Sequence, residues 1–526
     1  MAKTKLLHFF TLLMLIIFSI NIGNFYLITK DKAPSFDEIN MKIASQKPFA
    51  DIWLGRDTIS FVEFVKIGIK KIKKEKIKKT SINKENDGFY LRNHHGILNL
   101  QLAKIVNSDQ IYGINKQNLL IIILLVLSFT IASCRKKFSF FYHTNLIIFF
   151  ISTPLFLHSL TGPTHHLLLG FALTIMSISL IDYEVTKKKR YIYLLIIGFA
   201  ISILAIETSI FFIFFFTLFF FINFKENLNF KNIIKFVAFL LLTILILYPG
   251  FYYGLDVFKS IFMLIYRIVF DSSLSLGDSG STQLLNQIFK ENLIFIAFAL
   301  VVNIFFLKEI KKYKTIYFLF FSGIAYNVLF LGNLFDQTYL FPGLVLIMLS
   351  LITLIKEFPM KLNNILIILV VPIFIMTQIN FYLSNQKIES NYNVFLKKIT
   401  GHTSAGNFKN DIDVIDKYIE KKILDSDKKT NNKKIKIYSD FPRLFHLNNL
   451  KLTKIIKESY IDNNEIIIRN NFDQFNLFGS DIIKEKINLI FIFQKRLVTD
   501  NVYTSLYNEG FIKEKLNINN FIIFQK

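Results

Sequence analysis

The feature that most constrains this chain is a succession of apolar runs long enough to cross a lipid bilayer. "LLHFFTLLMLIIFSINIGNFYLI" (6–28) and "NNILIILVVPIFIMTQINFYL" (363–383) are two of them. Each reaches the roughly 20 helical residues that span about 30 Å of hydrocarbon. With 52% hydrophobic residues over 526 positions, the chain cannot be an ordinary water-soluble enzyme. The expected fold class is an α-helical multi-pass membrane protein. Its wealth of Phe, Ile, Lys and Asn matches the bias of an AT-rich genome, so Phe-rich runs carry no chemistry by themselves. A single cysteine, Cys134, excludes an internal disulfide and a redox pair.

Eleven spans are expected, near 6–28, 118–134, 144–160, 166–183, 191–206, 208–224, 236–254, 293–307, 316–334, 339–355 and 363–383. The short connections alternate in charge. "RKK" (135–137), "KKKR" (187–190), "KENLNFKNIIK" (225–235), "KEIKKYK" (308–314) and "KEFPMK" (356–361) are basic, while "TGPTHH" (161–166), the turn at Glu207 and "LFDQTY" (334–339) hold no Lys or Arg. The basic set belongs in the cytoplasm, together with the N-terminus. One helix over 191–224 would be about 51 Å long and would invert every later loop, so a hairpin turning near Glu207 is expected. Residues 29–117 and 255–292 then form external loops and 384–526 an external tail. The basic run in the first loop is compatible with this, because long loops translocate largely regardless of charge.

The tail changes character. "KIKIYSD" (434–440), "NEIIIRN" (464–470), "INLIFIF" (487–493) and "NNFIIFQ" (519–525) read as strands, and "DIDVIDKYIEKKIL" and "VYTSLYNEG" as amphipathic helices. The domain organisation is therefore a transmembrane unit, 1–383, and a small extracytoplasmic α/β domain, 384–526. The formal net charge of +24 is spent largely beside the spans, which argues against a nucleic-acid partner.

Polar clusters gather on the external side: Asp37 and Glu38 in "APSFDEINMK", "DGFYLRNHHG" (87–96), "TGPTHH", Glu207, "YPGFYYGLDVFK" (248–259), Arg267 and "FDQTY" (335–339). The acidic pair serves either as a cap on an interfacial helix or as a general base with a partner carboxylate. Adjacent histidines lack a third ligand at helical spacing, so no metal site is assigned. Arg92, with His94 and His95, suits a phosphate. His165 and His166 open a helix, where backbone N–H groups favour an anion. Tyr248 and its aromatic neighbours read as an interfacial belt.

The order of these elements resembles the GT-C superfamily of integral-membrane glycosyltransferases, which includes protein O-mannosyltransferases and aminoarabinose transferases. "SFDE" (35–38) matches the acidic motif that opens the family's external loop. "HHGILNL" (94–100) stands for the later His-Pro-Pro-Leu segment, with Gly96 and Ile97 in place of the prolines. "QTYLFPGLVLIMLSL" (337–351) stands for a late motif, with Gln337 in place of its arginine. The resemblance implies transfer of a sugar from a polyprenyl-phosphate donor to a lipid, glycan or protein acceptor at the outer face of a bacterial inner membrane. It implies Asp37 as general base, with Glu38 orienting the acceptor or the base. Arg92, His94, His95, His165 and His166 would stabilise the departing lipid phosphate. No cofactor is called for, and a divalent metal stays open. A transporter or flippase is the rival class, but it would place charges at mid-span and show paired repeats, and neither is visible. A surface-polysaccharide polymerase or ligase would carry an arginine-rich external loop, whereas 255–292 contains only Arg267.

Overall fold

The computed structural model describes residues 2–29, 97–106, 116–134, 147–160, 164–224, 229–249, 297–304, 310–331, 337–357, 372–379, 408–429, 435–439, 488–494, 500–508, 510–519 and 521–525, and single positions 41, 45, 49, 52, 69 and 307. Within them the chain is mostly helical. The helices are α1 (Ala2–Thr29), α2 (Leu98–Ile105), α3 (Lys116–Cys134), α4 (Pro154–Leu160), α5 (Thr164–Thr186), α6 (Arg190–Ala205), α7 (Ser209–Asn223), α8 (Phe230–Leu247), α9 (Lys314–Leu331), α10 (Phe341–Glu357), α11 (Phe408–Lys429) and α12 (Asp500–Asn508). Residues 147–151, 297–304 and 372–379 are also helical.

Helix α5 is the axis of the bundle, packed against α3, α6 and α10. Small residues let the neighbours close in. A Cβ on Gly198 would lie 2.5 Å from Met176, and one on Gly170 would lie 2.5 Å from the Phe341 ring. Helices α9 and α10 cross where Gly323 faces Gly343, so closely that a Cβ on Gly323 would be 2.6 Å from the Gly343 carbonyl oxygen. Small residues at such crossings are what van der Waals packing between apolar helices requires.

Among the described residues, two helices, Thr164–Thr186 and Phe230–Leu247, are long and apolar enough to cross a membrane. They sit in opposite surroundings. The first is sheathed by protein, whereas the second is almost bare, with Ile234, Val237, Leu241, Leu242, Leu245 and Ile246 exposed. A helix that is apolar on its uncovered face is not the core helix of a water-soluble protein, and hydrocarbon is the solvent that suits it. Helix α1 shows the same pattern, with Phe9, Leu12, Ile16 and Ile20 exposed.

The expected reversal near Glu207 is present. Helix α6 ends at Ala205, Ile206 is extended, and α7 begins at Ser209. The far end of α7 returns to the start of α6. The Phe224 ring lies 5.1 Å from Tyr183 and 4.3 Å from Lys187 Nζ, and Lys187 is three residues before Arg190. Lys187 stops α5 by taking a left-handed backbone conformation, φ 56°. Side chains of 187–190 are exposed, so the basic connector lies at the end of the bundle opposite the Glu207 turn.

The expected single span over 144–160 is interrupted instead. The helix breaks at Ser152 and Thr153, because Pro154 has no N–H to donate and cannot continue the ladder. The freed groups find other partners. Thr153 bonds the Phe150 carbonyl through both its N–H (3.1 Å) and its hydroxyl (2.9 Å), and Ser152 Oγ donates to the Ile148 carbonyl. The Ser152 carbonyl accepts from Gln378 Nε2 at 2.7 Å, and Gln378 Oε1 accepts from Asn21 Nδ2 at 2.6 Å. One amide thereby joins the first helix, the broken helix and segment 372–379.

In the tail, strands β1 (Ile435–Ser439), β2 (Asn488–Gln494), β3 (Ile512–Lys513) and β4 (Phe521–Gln525) form a sheet in the order β1-β2-β4-β3. The β1–β2 pair is parallel, with Ile437 opposite Ile490. The other pairs are antiparallel, with Ile492 opposite Ile523. Ile412, Ile415 and Ile419, at helical spacing on α11, are buried with Ile490, Ile492, Phe521 and Ile523. Asp411, in the first turn of α11, accepts the Asn519 N–H at 3.0 and 3.1 Å on its two oxygens. The expected strand at 464–470 lies outside the described residues.

Candidate functional site

At the end of the bundle opposite the Lys187–Arg190 connector, α3, α5 and α10 begin while α4 and α6 end. Helix termini leave carbonyl and N–H groups without intrahelical partners, so a buried collar of termini needs polar side chains. Three consecutive amide contacts supply them. Asn99, on α2, donates through Nδ2 to the Ala205 carbonyl at the end of α6, 2.9 Å away. Gln117, at the start of α3, donates through Nε2 to the Asn99 carbonyl at 2.7 Å. Its neighbour Asn118 donates to the Leu160 carbonyl at the end of α4, 2.9 Å away, and accepts the Thr164 hydroxyl at 2.7 Å. All four of these polar side chains are buried. Met41 Sδ lies 3.2 Å from the same Thr164 hydroxyl as a second acceptor, which brings a residue of the first loop to the start of α5.

Thr164 is followed by the histidine pair. His165 and His166 occupy the first turn of α5, both buried, their rings 4.2 Å apart. The His166 ring is 4.3 Å from Tyr339, in the 3-10 turn Gln337–Leu340 that leads into α10. One turn below, the Gly170–Phe341 approach sets how near α10 comes and therefore where Tyr339 meets His166. On the other flank, Glu207 is half-buried in the turn between α6 and α7. The Tyr326 hydroxyl donates to Thr208 at 3.3 Å, and Glu207 lies within electrostatic reach of that hydroxyl. Buried aromatic hydroxyls, imidazoles and helix N-termini together can hold a polar or anionic group in a partly dry space.

Three of the clusters expected on the external side therefore meet at one end of the bundle: "TGPTHH", Glu207 and the Gln337–Tyr339 stretch. Of the proposed site residues, His165 and His166 are brought together here. Asp37, Glu38, Arg92, His94 and His95 lie outside the described residues. Tyr248 differs from its expectation. It is buried among Ile203, Leu204 and Ile244 rather than set in an interfacial belt. No cluster of metal-ligating side chains occurs among the described residues. Asn99, Gln117 and Asn118 were not anticipated. Their only signal in the sequence is three uncharged amides at the edges of apolar helices, where water cannot satisfy the termini.

No family model matches the sequence, and no curated protein matches it. Among solved structures, ArnT from Cupriavidus metallidurans in the apo state aligns over 100% of this chain and 98% of its own, with a TM-score of 0.53 and 9% identity. ArnT from the same organism bound to undecaprenyl phosphate aligns over 97% of both chains, with a TM-score of 0.47 and 9% identity. At this identity the likeness speaks for architecture. The chain shares, from end to end, the fold of ArnT, in agreement with the architecture that its motifs suggest.

Proposed function

We propose that this protein is an integral-membrane glycosyltransferase that moves a sugar from a polyprenyl-phosphate donor to a lipid, glycan or protein acceptor on the outer face of the membrane. The observation that carries this reading is the ArnT-like fold over the whole chain, and the buried polar collar at one end of the bundle supports it. The N-terminus faces the cytoplasm and the tail domain, 384–526, the exterior. Asp37 takes the proton of the acceptor hydroxyl as that oxygen attacks the anomeric carbon, and Glu38 orients it. The bond to the lipid phosphate breaks, and the negative charge gathers on the departing phosphate. His165 and His166, with the N–H groups of the first turn of α5, stabilise that charge, assisted by Arg92, His94 and His95.

Chain connectivity favours this grouping. Met41 touches Thr164, and Glu38 is three residues earlier, so their Cα atoms are at most about 11 Å apart. Ile97 anchors α2 in the collar, and His95 is two residues earlier, at most about 8 Å away.

The test is transfer of radiolabelled sugar from a polyprenyl-phosphate donor by the protein reconstituted in liposomes. Asp37→Asn is expected to abolish transfer while the protein remains folded and inserted. Full activity in that variant would remove Asp37 as the base.

A further inference from the structure

We infer that Asn118 is a positioning residue for the histidine pair at the start of α5, an inference that rests on the proposed transfer reaction. Its amide spans the break between two helices. The Nδ2 group holds the last carbonyl of α4, at Leu160, and also lies 3.5 Å from the Ser159 carbonyl. The Oδ1 atom holds the hydroxyl of Thr164, the first residue of α5. Only a side chain with a donor and an acceptor on one planar group does both. Aspartate keeps the acceptor and loses the donor, and leucine loses both.

What hangs from Thr164 makes the clamp functional as well as structural. His165 and His166 are the next two residues, and their packing on each other and on Tyr339 fixes both rings. A small rotation of the first turn about the α5 axis would swing both imidazoles together. Thr164 also meets Met41, so the same hydroxyl sets the first-loop segment against α5. The bonds of Asn118 to Thr164 and to the Leu160 carbonyl carry its influence to the histidine pair. Misplacement of a reacting group by about 1 Å can cost about 100-fold in rate, which sets the scale of the expected effect.

The experiment has two readouts. In the transfer assay, Asn118→Leu and Thr164→Val are expected to lower kcat by about 30–100-fold with the donor KM changed by less than about threefold. Thr164→Ser, which keeps the hydroxyl, is expected to restore most of kcat. Separately, spin labels are placed on Phe49→Cys and Val185→Cys, both at exposed positions, in a Cys134→Ser chain. Their distance distribution is expected to broaden in Asn118→Leu and Thr164→Val and to sharpen again in Thr164→Ser. An unchanged distribution in both disrupting variants overturns the inference, as does an equal fall in kcat for Thr164→Ser and Thr164→Val. If the unmutated chain transfers no sugar, the proposed function fails, and the spin-label distances alone decide whether Asn118 sets this geometry. Should Asn118→Leu not fold, the Thr164 pair carries the same decision.

Discussion

Replacing Gln378 by leucine tests how the bundle closes around its broken helix. Gln378 accepts from Asn21 at 2.6 Å and donates to the Ser152 carbonyl at 2.7 Å. Side-chain hydrogen bonds between membrane helices average about 0.6 kcal/mol and reach about 1.7 kcal/mol. Leucine removes two of them. It also strands the Ser152 carbonyl, which lies in the break between the two helical segments and accepts from Gln378, and an unsatisfied buried group costs about 1–3 kcal/mol. The expected loss for Gln378→Leu is therefore about 2–4 kcal/mol. Asn21→Leu keeps the Ser152 bond but loses both contacts of Asn21 Nδ2, to Gln378 Oε1 and to the Gln378 carbonyl at 3.3 Å, and is expected to cost about 1–2 kcal/mol. The Asn21 and Gln378 changes made together should cost at least about 1 kcal/mol less than their sum, because each single change strands the other partner. Equilibrium unfolding by SDS in mixed micelles, followed by far-ultraviolet circular dichroism, measures all three. Additivity to within about 0.5 kcal/mol would refute the reasoning, since it would mean that the two amides do not act on each other.

Other outcomes are expected from the same geometry. Gly170→Ala drives a methyl group into the Phe341 ring, 2.5 Å away, and should cost about 1–3 kcal/mol in the same unfolding measurement. Gly343→Ala should cost more than Gly170→Ala, because its Cβ meets the Asn327 amide and, at 2.7 Å, the Gly323 carbonyl oxygen, and backbone cannot rotate aside. In the tail, burial and then the neighbouring Glu514 carboxylate push the Tyr418 phenol above its ordinary value of 10.0. A phenol held protonated in the folded state stabilises fully below pH 10.0 and loses that stabilisation as pH rises further, so unfolding of the tail should steepen above pH 10.0 and Tyr418→Phe should flatten that limb. In a Cys134→Ser chain, a cysteine at Tyr507 should react with an impermeant maleimide on intact cells and one at Lys188 only after permeabilisation. The reverse pattern would invert the proposed topology.

Much of the helical bundle was legible because apolar length and loop charge are local properties. The reversal at Glu207 followed from bilayer thickness and the positions of the basic connectors, and the structure turns there. The tail helices and three of its strands followed from period alone, since Ile412, Ile415 and Ile419 repeat at helical spacing. What stayed hidden depends on distant partners. Asn21 and Gln378 are single polar residues in apolar runs, 357 positions apart, and neither run announces that the other exists. Asn99 and Ala205 are separated by 106 positions, and Asn118 and Thr164 by 46. The break at Ser152 was written locally, in Pro154, but the hydropathy of 144–160 outweighed it. The histidine pair was legible as a helix start, but its contact with Tyr339 required the closeness that Gly170 permits.

The break at Ser152 also bears on how the chain is made. Its carbonyl is satisfied by a side chain synthesised 226 residues later. Through the synthesis of those 226 residues, the nascent third hydrophobic segment would hold a backbone acceptor without the side chain that covers it in the finished bundle. Insertion of the early helices and completion of the bundle are thereby separate events. A ribosome that stops before Gln378 leaves a product with its helices in place and this seam open, a defect that membrane quality control could read.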